Sequence, residues 1–383
     1  MERAASAGLY VHVPFCRQKC PYCSFHSFPP QPGDIARSLA ATQAQMRLAA
    51  TLPEVRALTF ATVFFGGGTP SLLPAEALAG LLAEARRLFT FTIEEPEITV
   101  EVNPGTVDAT GLAHLRRAGF NRLSVGVQSF NDTELRLLGR IHRGTEAREV
   151  IAAARRAGFA NLSFDLMYGL PGQTVGDWQT TLDRAMTLAP VHLSMYELTV
   201  EEGTPFALAA GRGDWRLPNE DEVLTMMAAI DSAVGASDLT RYEISNYAAT
   251  GRQCRHNLNY WHNGCYLGLG PGAVSGLDGE RRLAMADLAT FCRTVAAGSP
   301  GWCESERLDR EAAFRETVVM GLRMTAGVQL AELEHRFSID LVRYYGATLT
   351  RLVAQDLLVL RDGRLFLSAR GLPLANRVMA DMV

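Results

Sequence analysis

The first half of the chain alternates short apolar, β-rich runs with longer amphipathic stretches. The short runs predict strands at Leu9–Val13, Thr62–Phe65, Glu97–Glu101, Arg122–Val125, Leu162–Leu166 and His192–Met195. The longer stretches predict helices, which include Ala75–Leu88, Thr145–Ala157 and Val175–Leu188. Repeated strand–helix units form a parallel sheet, because each helix returns the chain to the same end of the sheet. We therefore expect an α/β fold, and six such units favour a partial TIM-like (β/α)6 barrel over an open doubly wound sheet.

The rest of the chain changes character twice. Residues 198–307 are rich in turn-forming residues, and we expect them to be irregular. Helices are then predicted at Glu311–Arg323, Leu330–Arg336 and Ile339–Gln355, followed by a hairpin of Leu357–Leu360 and Arg364–Leu367. The predicted domains are a barrel at 1–240, a connecting region at 241–307 and a small winged-helix-like domain at 308–383. The last domain has no basic stripe, which favours packing or partner docking over DNA binding.

Composition restricts what the protein binds and where it works. The 383 residues carry a formal net charge of −4, which argues against a broad nucleic-acid surface because phosphate binding needs a basic face. No apolar run reaches the roughly 18–20 residues that span a bilayer, and Met1–Tyr10 lacks the apolar core of a signal peptide. Seven cysteines are too few and too unevenly placed for a disulfide framework. We therefore expect a soluble, cytoplasmic protein without nucleic-acid partners or transmembrane segments, while peripheral membrane contact is left open.

Three closely spaced cysteines, Cys16, Cys20 and Cys23, follow the first predicted strand in a CX3CX2C pattern. Iron–sulfur clusters are held by closely spaced thiolates, commonly four of them. Three thiolates without a fourth would leave one iron of a 4Fe–4S cube open to a non-protein ligand. One alternative is a zinc site, although zinc usually takes a closed set of four ligands. The other is that these are plain buried cysteines. The other cysteines, Cys254, Cys265, Cys292 and Cys303, are scattered and form no second pair.

Polar and glycine-rich segments recur where the predicted strands end. They are the cysteine loop, residues 66–70, residues 101–104, Gln128 and Asp165. Barrel active sites are built at this edge, because the tips of several strands converge there. Each segment also has an ordinary structural explanation, since glycine-rich turns are common and an acidic residue after a strand is often a helix cap. Their recurrence on consecutive strand ends predicts one shared site.

The motifs together resemble the radical SAM superfamily, and within it the subgroup that contains the oxygen-independent coproporphyrinogen III oxidases and the haem chaperones. The resemblance rests on YVHVPFC at 10–16, FGGGTPS at 65–71, EVNPG at 101–105, SVGVQSF at 124–130, DLMYGLPGQ at 165–173 and YEISNYA at 242–248. It implies that Cys16, Cys20 and Cys23 hold a 4Fe–4S cluster. It also implies that S-adenosylmethionine (SAM) fills the open iron position through its amino and carboxylate groups.

The same resemblance implies a set of cofactor-binding residues. They are Tyr10, Tyr22, Gly67, Gly68, Thr69, Glu101, Gln128, Arg140, Asp165, Thr199 and Val274. The carboxylates suit ribose hydroxyls or cationic groups, and Arg140 suits the carboxylate of the cofactor. Gly67 and Gly68 let bare backbone approach the cofactor. The match is looser around Thr199 and Val274, and the number of SAM molecules bound is left open.

Three features separate the two branches of this subgroup. The oxidases have a further cysteine two residues after the third cluster cysteine, where this chain has Phe25. They also carry a long N-terminal extension, which we do not expect here because the first cluster cysteine is at position 16. The run from His256 to Trp261 fits the HNxxYW motif that the chaperone branch associates with haem.

His256, Tyr260 and Trp261 are therefore the haem candidates. Histidine is a frequent axial ligand of haem iron, and aromatic rings pack on a porphyrin face. Neighbouring Cys254, His262 and Cys265 are further candidate ligands, because they lie close to His256 in sequence. The alternative is that His256 is a hydrogen-bonded structural histidine and that the aromatic pair fills space.

Two functions follow from the resemblance. The first is a haem chaperone that carries a 4Fe–4S cluster and SAM, delivers haem to haem-accepting proteins and can form a homodimer. The second is a radical SAM enzyme acting on a tetrapyrrole, such as an oxygen-independent coproporphyrinogen III oxidase. A haem-degrading methyltransferase is a third option. One barrel can host all three, and the hard chemistry belongs to the cofactors, so no catalytic residue is assigned.

Overall fold

The computed structural model describes residues 6–92 and 95–383. Residues 1–5 and 93–94, which belong to the predicted barrel domain and in part to the segment Met1–Tyr10, lie outside the described residues. The barrel strands are β1 Ser6–Val13, β2 Thr59–Gly67, β3 Glu97–Val102, β4 Arg122–Gln128, β5 Asn161–Tyr168 and β6 His192–Glu197. Each predicted strand lies inside an observed one.

Helices connect these strands. They are α1 Asp34–Ala49, α2 Pro53–Arg56, α3 Ala75–Leu88, α4 Ala109–Ala118, α5 Asp132–Leu137, α6 Gly144–Arg156 and α7 Val175–Thr187, with a 3-10 turn at Pro70–Leu72. α3 coincides with its prediction, and α6 and α7 agree with theirs within one residue. The helices bury an apolar stripe, which in α3 is made by Leu78, Leu81, Leu82 and Ala85.

The strand order identifies the winding of the sheet. β1 to β6 lie side by side in chain order, and every neighbouring pair is parallel. A doubly wound sheet would reverse its strand order at a switch point, and these strands do not. The α/β fold with a partial (β/α)6 barrel is therefore confirmed. All six carboxyl ends meet at one edge, which places the loops that follow them around a common centre.

The expectation that residues 198–307 are irregular is wrong. This region forms α8 Pro205–Gly211, α9 Glu220–Gly235, β7 Thr240–Glu243, β8 Asn246–Ala248, α10 Arg255–Trp261, β9 Tyr266–Leu269, β10 Val274–Leu277, β11 Glu280–Ala284, α11 Leu288–Ala296 and β12 Trp302–Arg307. β8 pairs with β6 and β9 pairs with β1, so both edges of the barrel sheet are extended. The strands are only three to six residues long, too short for their periodicity to be recognised.

The C-terminal region is a separate small unit. Its elements are α12 Arg310–Gly321, β13 Val328–Gln329, α13 Leu330–Phe337, α14 Leu341–Ala354, β14 Leu358–Arg361, β15 Arg364–Leu367, a 3-10 turn at Leu372–Leu374 and α15 Ala375–Ala380. The strands form an antiparallel sheet in the order β13-β15-β14. The Asp362-Gly363 turn has φ of 52° and 70°, as a type I′ hairpin turn requires. Helix, strand, two helices and a hairpin make a winged-helix arrangement, which confirms that part of the predicted fold.

No helix in the described part of the chain is long and apolar enough to cross a membrane.

Candidate functional site

The cysteine loop follows β1 and is closed at its base by backbone hydrogen bonds. The N–H of Cys16 donates to the carbonyl of Phe28 at 3.1 Å, and the N–H of Phe28 donates to the carbonyl of Pro14 at 2.9 Å. The buried ring of Phe15 packs edge-on against Phe28, with centroids 5.6 Å apart. This clamp fixes both ends of the segment that carries the thiols.

The three thiols of this loop line one cavity, and none forms a disulfide. The Sγ of Cys16 lies 3.5 Å from the Thr69 hydroxyl, and Arg140 approaches the Sγ of Cys20 at 3.9 Å. Burial raises the pKa of the Cys23 thiol, and the neighbouring cysteines add to the rise.

No group of three or more His, Cys, Asp or Glu side chains within residues 6–92 and 95–383 is gathered to hold a single metal ion. A zinc ion would need its ligands drawn together at about 2.0–2.3 Å from one centre. A 4Fe–4S cube instead binds each thiolate on a different iron.

The structure gives a reason for the glycines after β2 that differs from the expected approach of bare backbone to the cofactor. A Cβ on Gly67, where φ is 115°, would lie 2.5 Å from the ring of His12. A Cβ on Gly68 would lie 2.6 Å from the carbonyl oxygen of Phe15. The glycines are therefore required first by close packing of this turn against β1 and the cysteine loop. That packing in turn presents the backbone of both glycines to the cavity.

The cavity has a volume of about 490 Å³, within the range of small-molecule sites. The predicted residues that line it are Tyr10, Cys16, Cys20, Tyr22, Cys23, Gly67, Gly68, Thr69, Glu101, Gln128, Arg140, Asp165, His256 and Tyr260. Thr199, Val274 and Trp261 are not among its lining residues. Thr199 is exposed beyond β6, and Val274 lies on β10.

The inner wall of the cavity is formed by two carboxyls, Glu101 and Asp165, and by the guanidinium of Arg122. Burial raises the pKa of Glu101 to about 8, and the nearby Asp165 adds to the rise. The Gly67 N–H donates to Glu101 Oε2 at 3.2 Å. Arg122, which is 2% exposed, lies within electrostatic range of both carboxyls. A cationic ligand would favour the ionised form of these acids, whereas an added anion would raise their pKa values further.

Asp165 is held by serines that sequence analysis missed. The Ser124 hydroxyl lies 3.0 Å from each carboxylate oxygen, and the Ser163 hydroxyl lies 3.2 Å from Oδ1. Ser194 also hydrogen-bonds the carboxylate and pairs with Asp165 across β5 and β6. Behind them, His192 contacts the Ser163 hydroxyl through Nδ1 at 2.8 Å. The signal in the sequence that could have revealed these serines is their occurrence inside otherwise apolar parallel strands.

Arg140 is oriented by two oxygen acceptors. Its guanidinium donates to the side-chain oxygen of Asn103 and to the carbonyl of Gly126, the latter at 2.9 Å. Asn103 was not among the predicted site residues, although it lies in the segment 101–104. Gln128 ends β4 with φ of 63°, an uncommon conformation for a residue other than glycine. A register shift between Val125 and Gln128 accompanies this turn of the backbone and aims the strand end at the cavity.

α10 carries the HNxxYW motif and is anchored on the barrel by Glu97. The Glu97 carboxylate accepts the backbone N–H groups of Arg255 and His256, both at 3.2 Å. The buried thiol of Cys254 lies 3.6 Å from the same carboxylate. Burial raises the pKa of that thiol to about 12, so Cys254 stays protonated.

Both ring nitrogens of His256 are occupied. Nδ1 lies 2.7 Å from the Thr62 hydroxyl and Nε2 lies 3.1 Å from the Tyr260 hydroxyl. The ring is 1% exposed and stacks on Phe64 with centroids 5.2 Å apart. Burial lowers the pKa of His256 to about 3, so the imidazole is neutral. An iron ion could bind either nitrogen only after one hydrogen bond had been lost.

Trp261 faces away from the cavity, toward the C-terminal unit. The guanidinium of Arg323 lies over its ring at 4.4 Å from the centroid. The same arginine lies 3.9 Å from the buried carboxylate of Glu243. The motif therefore has two sides, with His256 and Tyr260 on the cavity and Trp261 at the junction with the C-terminal unit.

Comparison with known proteins identifies the fold and the family. Residues 10–185 match the radical SAM superfamily, and residues 308–374 match the HemN C-terminal domain. The structure of coproporphyrinogen III oxidase (HemN) from Escherichia coli superposes with a TM-score of 0.85 over 99% of this chain and 90% of that one. Sequence identity with it is 24%, so this likeness concerns the fold.

The curated relatives are closer in sequence. The heme chaperone HemW of Bacillus subtilis is 32% identical over 96% of this chain and 97% of its own length. The heme chaperone HemW of Mycobacterium tuberculosis is 34% identical over 98% of this chain and 94% of its own length. These alignments cover nearly the whole chain. The chain therefore belongs to the HemW family of the radical SAM superfamily.

Proposed function

We propose that this protein is a haem chaperone, which binds haem and passes it to haem-dependent acceptor proteins. The observation that carries the proposal is its 34% identity, over 98% of the chain, to a relative named heme chaperone HemW. Family membership also implies a 4Fe–4S cluster and SAM. The expected cytoplasmic location and homodimer stay predictions.

In this proposal the cysteine loop holds the cluster. Cys16, Cys20 and Cys23 supply its three thiolates, and the clamp between Phe15 and Phe28 keeps them on one loop. When bound, the cluster and SAM would supply the redox and radical chemistry of the superfamily. The chain itself excludes water from the inner wall, since the ring of His256 and the serines around Asp165 are buried.

The inner wall suits the cationic part of SAM. Glu101 and Asp165 place two acids against one buried guanidinium, Arg122. Arg140 is pre-oriented by Asn103 and Gly126 at the side of the cavity nearer Cys20, where a carboxylate would pair with it. The cavity therefore offers opposite charges to the two ends of a zwitterion.

The first test is a haem titration of the anaerobically reconstituted protein, followed by gel filtration. We expect near-stoichiometric haem to elute with the protein and to move to an apo-haem protein when the two are mixed. Haem that separates from the protein on the column would contradict the proposal. A change in elution volume on haem binding would test the homodimer in the same experiment.

Enzymatic action on a tetrapyrrole is the competing function, supported by the fold shared with HemN. It is tested by incubating the reduced protein with SAM and coproporphyrinogen III. We expect no decarboxylated product. Product formed in proportion to the cleaved SAM would replace the chaperone proposal.

A further inference from the structure

Two large apolar side chains, Phe25 and Ile141, line the cavity and are exposed at its mouth. Phe25 is 67% exposed and Ile141 is 41% exposed. A single exposed apolar residue is ordinary on a protein surface. Exposed apolar side chains gathered at one opening are the usual mark of a binding surface. Tyr196 also lines the cavity, but its hydroxyl hydrogen-bonds Ser194 and Asn246 beside Asp165, so it belongs to the inner wall. We call Phe25 and Ile141 the mouth rim.

The rim is assembled by a contact between the cysteine loop, which carries Phe25, and the segment between α5 and α6, which carries Ile141. A Cβ on Gly139 would lie 2.7 Å from Pro21, so this segment packs tightly on the cysteine loop. The two rim residues therefore come from two parts of the chain that meet at the cavity.

Two cations accompany the apolar side chains. Arg17 and Lys19 are exposed on the same loop as Phe25, and Arg17 lines the cavity. The Lys19 ammonium donates to the backbone carbonyl of Phe25 at 3.0 Å, which holds it beside the rim. Neither cation forms a salt bridge with a carboxylate of the described residues. Both are therefore available to an external anion.

The interior is a poor seat for a carboxylate-bearing macrocycle. Its volume of about 490 Å³ must hold the cluster and SAM. Glu101 and Asp165 on the inner wall offer no positive charge to added carboxylates, and Arg140 is already assigned to the carboxylate of SAM. His256 has both nitrogens hydrogen-bonded inside the protein.

We propose that the mouth rim is the seat of the tetrapyrrole, and this rests on the proposed function as a haem-binding protein. Phe25 and Ile141 contact the apolar face of the macrocycle, and Arg17 and Lys19 pair with its two carboxylates. A flat apolar ring with two anionic arms matches an apolar rim with two unpaired cations. The seat lies over the cavity, so the macrocycle closes the opening above the cluster and SAM.

The test compares haem with metal-free protoporphyrin IX on the reconstituted protein. The rim predicts that both bind, because no iron ligand is needed to hold the ring. The double variant Phe25→Ser/Ile141→Ser should weaken both affinities by about tenfold or more. The matched control is Leu224→Ser/Val342→Ser, which removes two exposed apolar side chains that do not line the cavity, 47% and 43% exposed. The control should change neither affinity by more than about twofold.

A second pair of measurements addresses the cations. Arg17→Gln/Lys19→Gln should weaken protoporphyrin IX binding and reduce its dependence on salt. The dimethyl ester of the same porphyrin should bind the wild type and this variant equally. Iron content, measured on every variant, confirms that the cysteine loop still holds its cluster.

The outcomes separate this proposal from the proposed function. If haem binds but the rim variants bind it as the control does, the rim is not the seat while the chaperone proposal stands. If haem binding depends on iron and is lost only in His256→Ala, the seat lies at α10. If the wild type binds neither tetrapyrrole, the proposed function itself is wrong.

Discussion

The two walls of the cavity differ in how much of their binding capacity is already used. On the thiol wall, Cys16, Cys20 and Cys23 face the cavity as free thiols. On the α10 wall, His256 and Tyr260 bond each other, and His256 also bonds Thr62. The thiol wall presents three candidate ligands to the cavity, whereas the candidate ligand of the α10 wall is hydrogen-bonded within the protein.

This difference shows that two sequence motifs that both suggest metal ligands can have different structural roles. A cysteine binds metal as the thiolate, so a thiol that faces a cavity becomes a ligand once it loses its proton. A buried imidazole must have its nitrogens satisfied, since an unmade hydrogen bond there costs about 1–3 kcal/mol. The thiol wall is therefore prepared for a cofactor, whereas the α10 wall is prepared to support the barrel.

The largest expected effect is on the thiol wall. Cys20→Ala should abolish cluster assembly, because the remaining two thiolates cannot hold three irons of a cube. Iron content and brown absorbance after anaerobic reconstitution measure the effect. Cys303→Ala is the control, since Cys303 is exposed on β12 and is not a cavity-lining residue. Iron content equal in the two variants would contradict the assignment of the thiol wall.

The turn that supports the thiol wall should be nearly as sensitive. Gly68→Ala should destabilise the protein by about 2–3 kcal/mol and lower its iron content, because the added Cβ meets the Phe15 backbone. Gly80→Ala is the control, since nothing lies within 4 Å of the added methyl group in the exposed middle of α3. That variant should be more stable by about 0.5–1 kcal/mol. Urea unfolding of both proteins measures the contrast, and equal midpoints would show that the turn can relax.

The sequence predicted the thiol wall better than the α10 wall, and the reason is the distance between partners. Cys16, Cys20 and Cys23 lie within eight residues of sequence, so their spacing is visible without a fold. The satisfaction of His256 depends on Thr62, which is 194 residues earlier in the chain. No local pattern reveals such a contact. The alternative in which His256 is structural describes its contacts here, while its role toward haem stays a prediction.

The same reasoning explains the rest of the fold. The barrel strands and α3 carry strong periodic patterns and were predicted closely. β9 is four residues long and is recognised only by its pairing with β1. The serines around Asp165 come from three different strands, and only the sheet register brings them together. The predicted cofactor roles of Thr199 and Val274 rested on looser resemblance, and neither side chain lines the cavity.

A smaller effect is expected from the α10 wall, and it depends on pH. The pKa of His256 in the folded protein, about 3, lies below its ordinary value near 6.5. The unfolded chain therefore takes up a proton that the folded chain does not. The contribution of His256 to the free energy of unfolding is complete above about pH 6.5. It should be lost as the pH falls toward 3, by up to about 1.4 kcal/mol per pH unit. His256→Gln should remove this part of the pH dependence and leave iron content unchanged.

Urea unfolding of the wild type and of His256→Gln between pH 7 and pH 5 measures how steeply the stability of each depends on pH. Equal slopes would show that His256 is protonated in the folded state and hence less enclosed than its contacts indicate. The same variant tests the comparison of the walls directly. If the rim holds the tetrapyrrole, haem affinity should change by no more than about twofold. A loss of about a hundredfold would place an iron ligand on the α10 wall.

The smallest effect should come from the side of α10 that faces the C-terminal unit. Trp261→Phe weakens the contact with Arg323, which costs about 0.5–1 kcal/mol. It also removes the indole N–H, which is buried without a hydrogen-bond partner in the described residues, and this offsets part of that loss. Thermal unfolding should therefore shift only slightly, and haem affinity should stay within about twofold. Tyr260→Phe is the matched comparison, because it removes a hydroxyl on the cavity side and frees Nε2 of His256. If Trp261→Phe weakened haem binding while Tyr260→Phe did not, haem would contact the domain junction, and the division of α10 into two sides would be wrong.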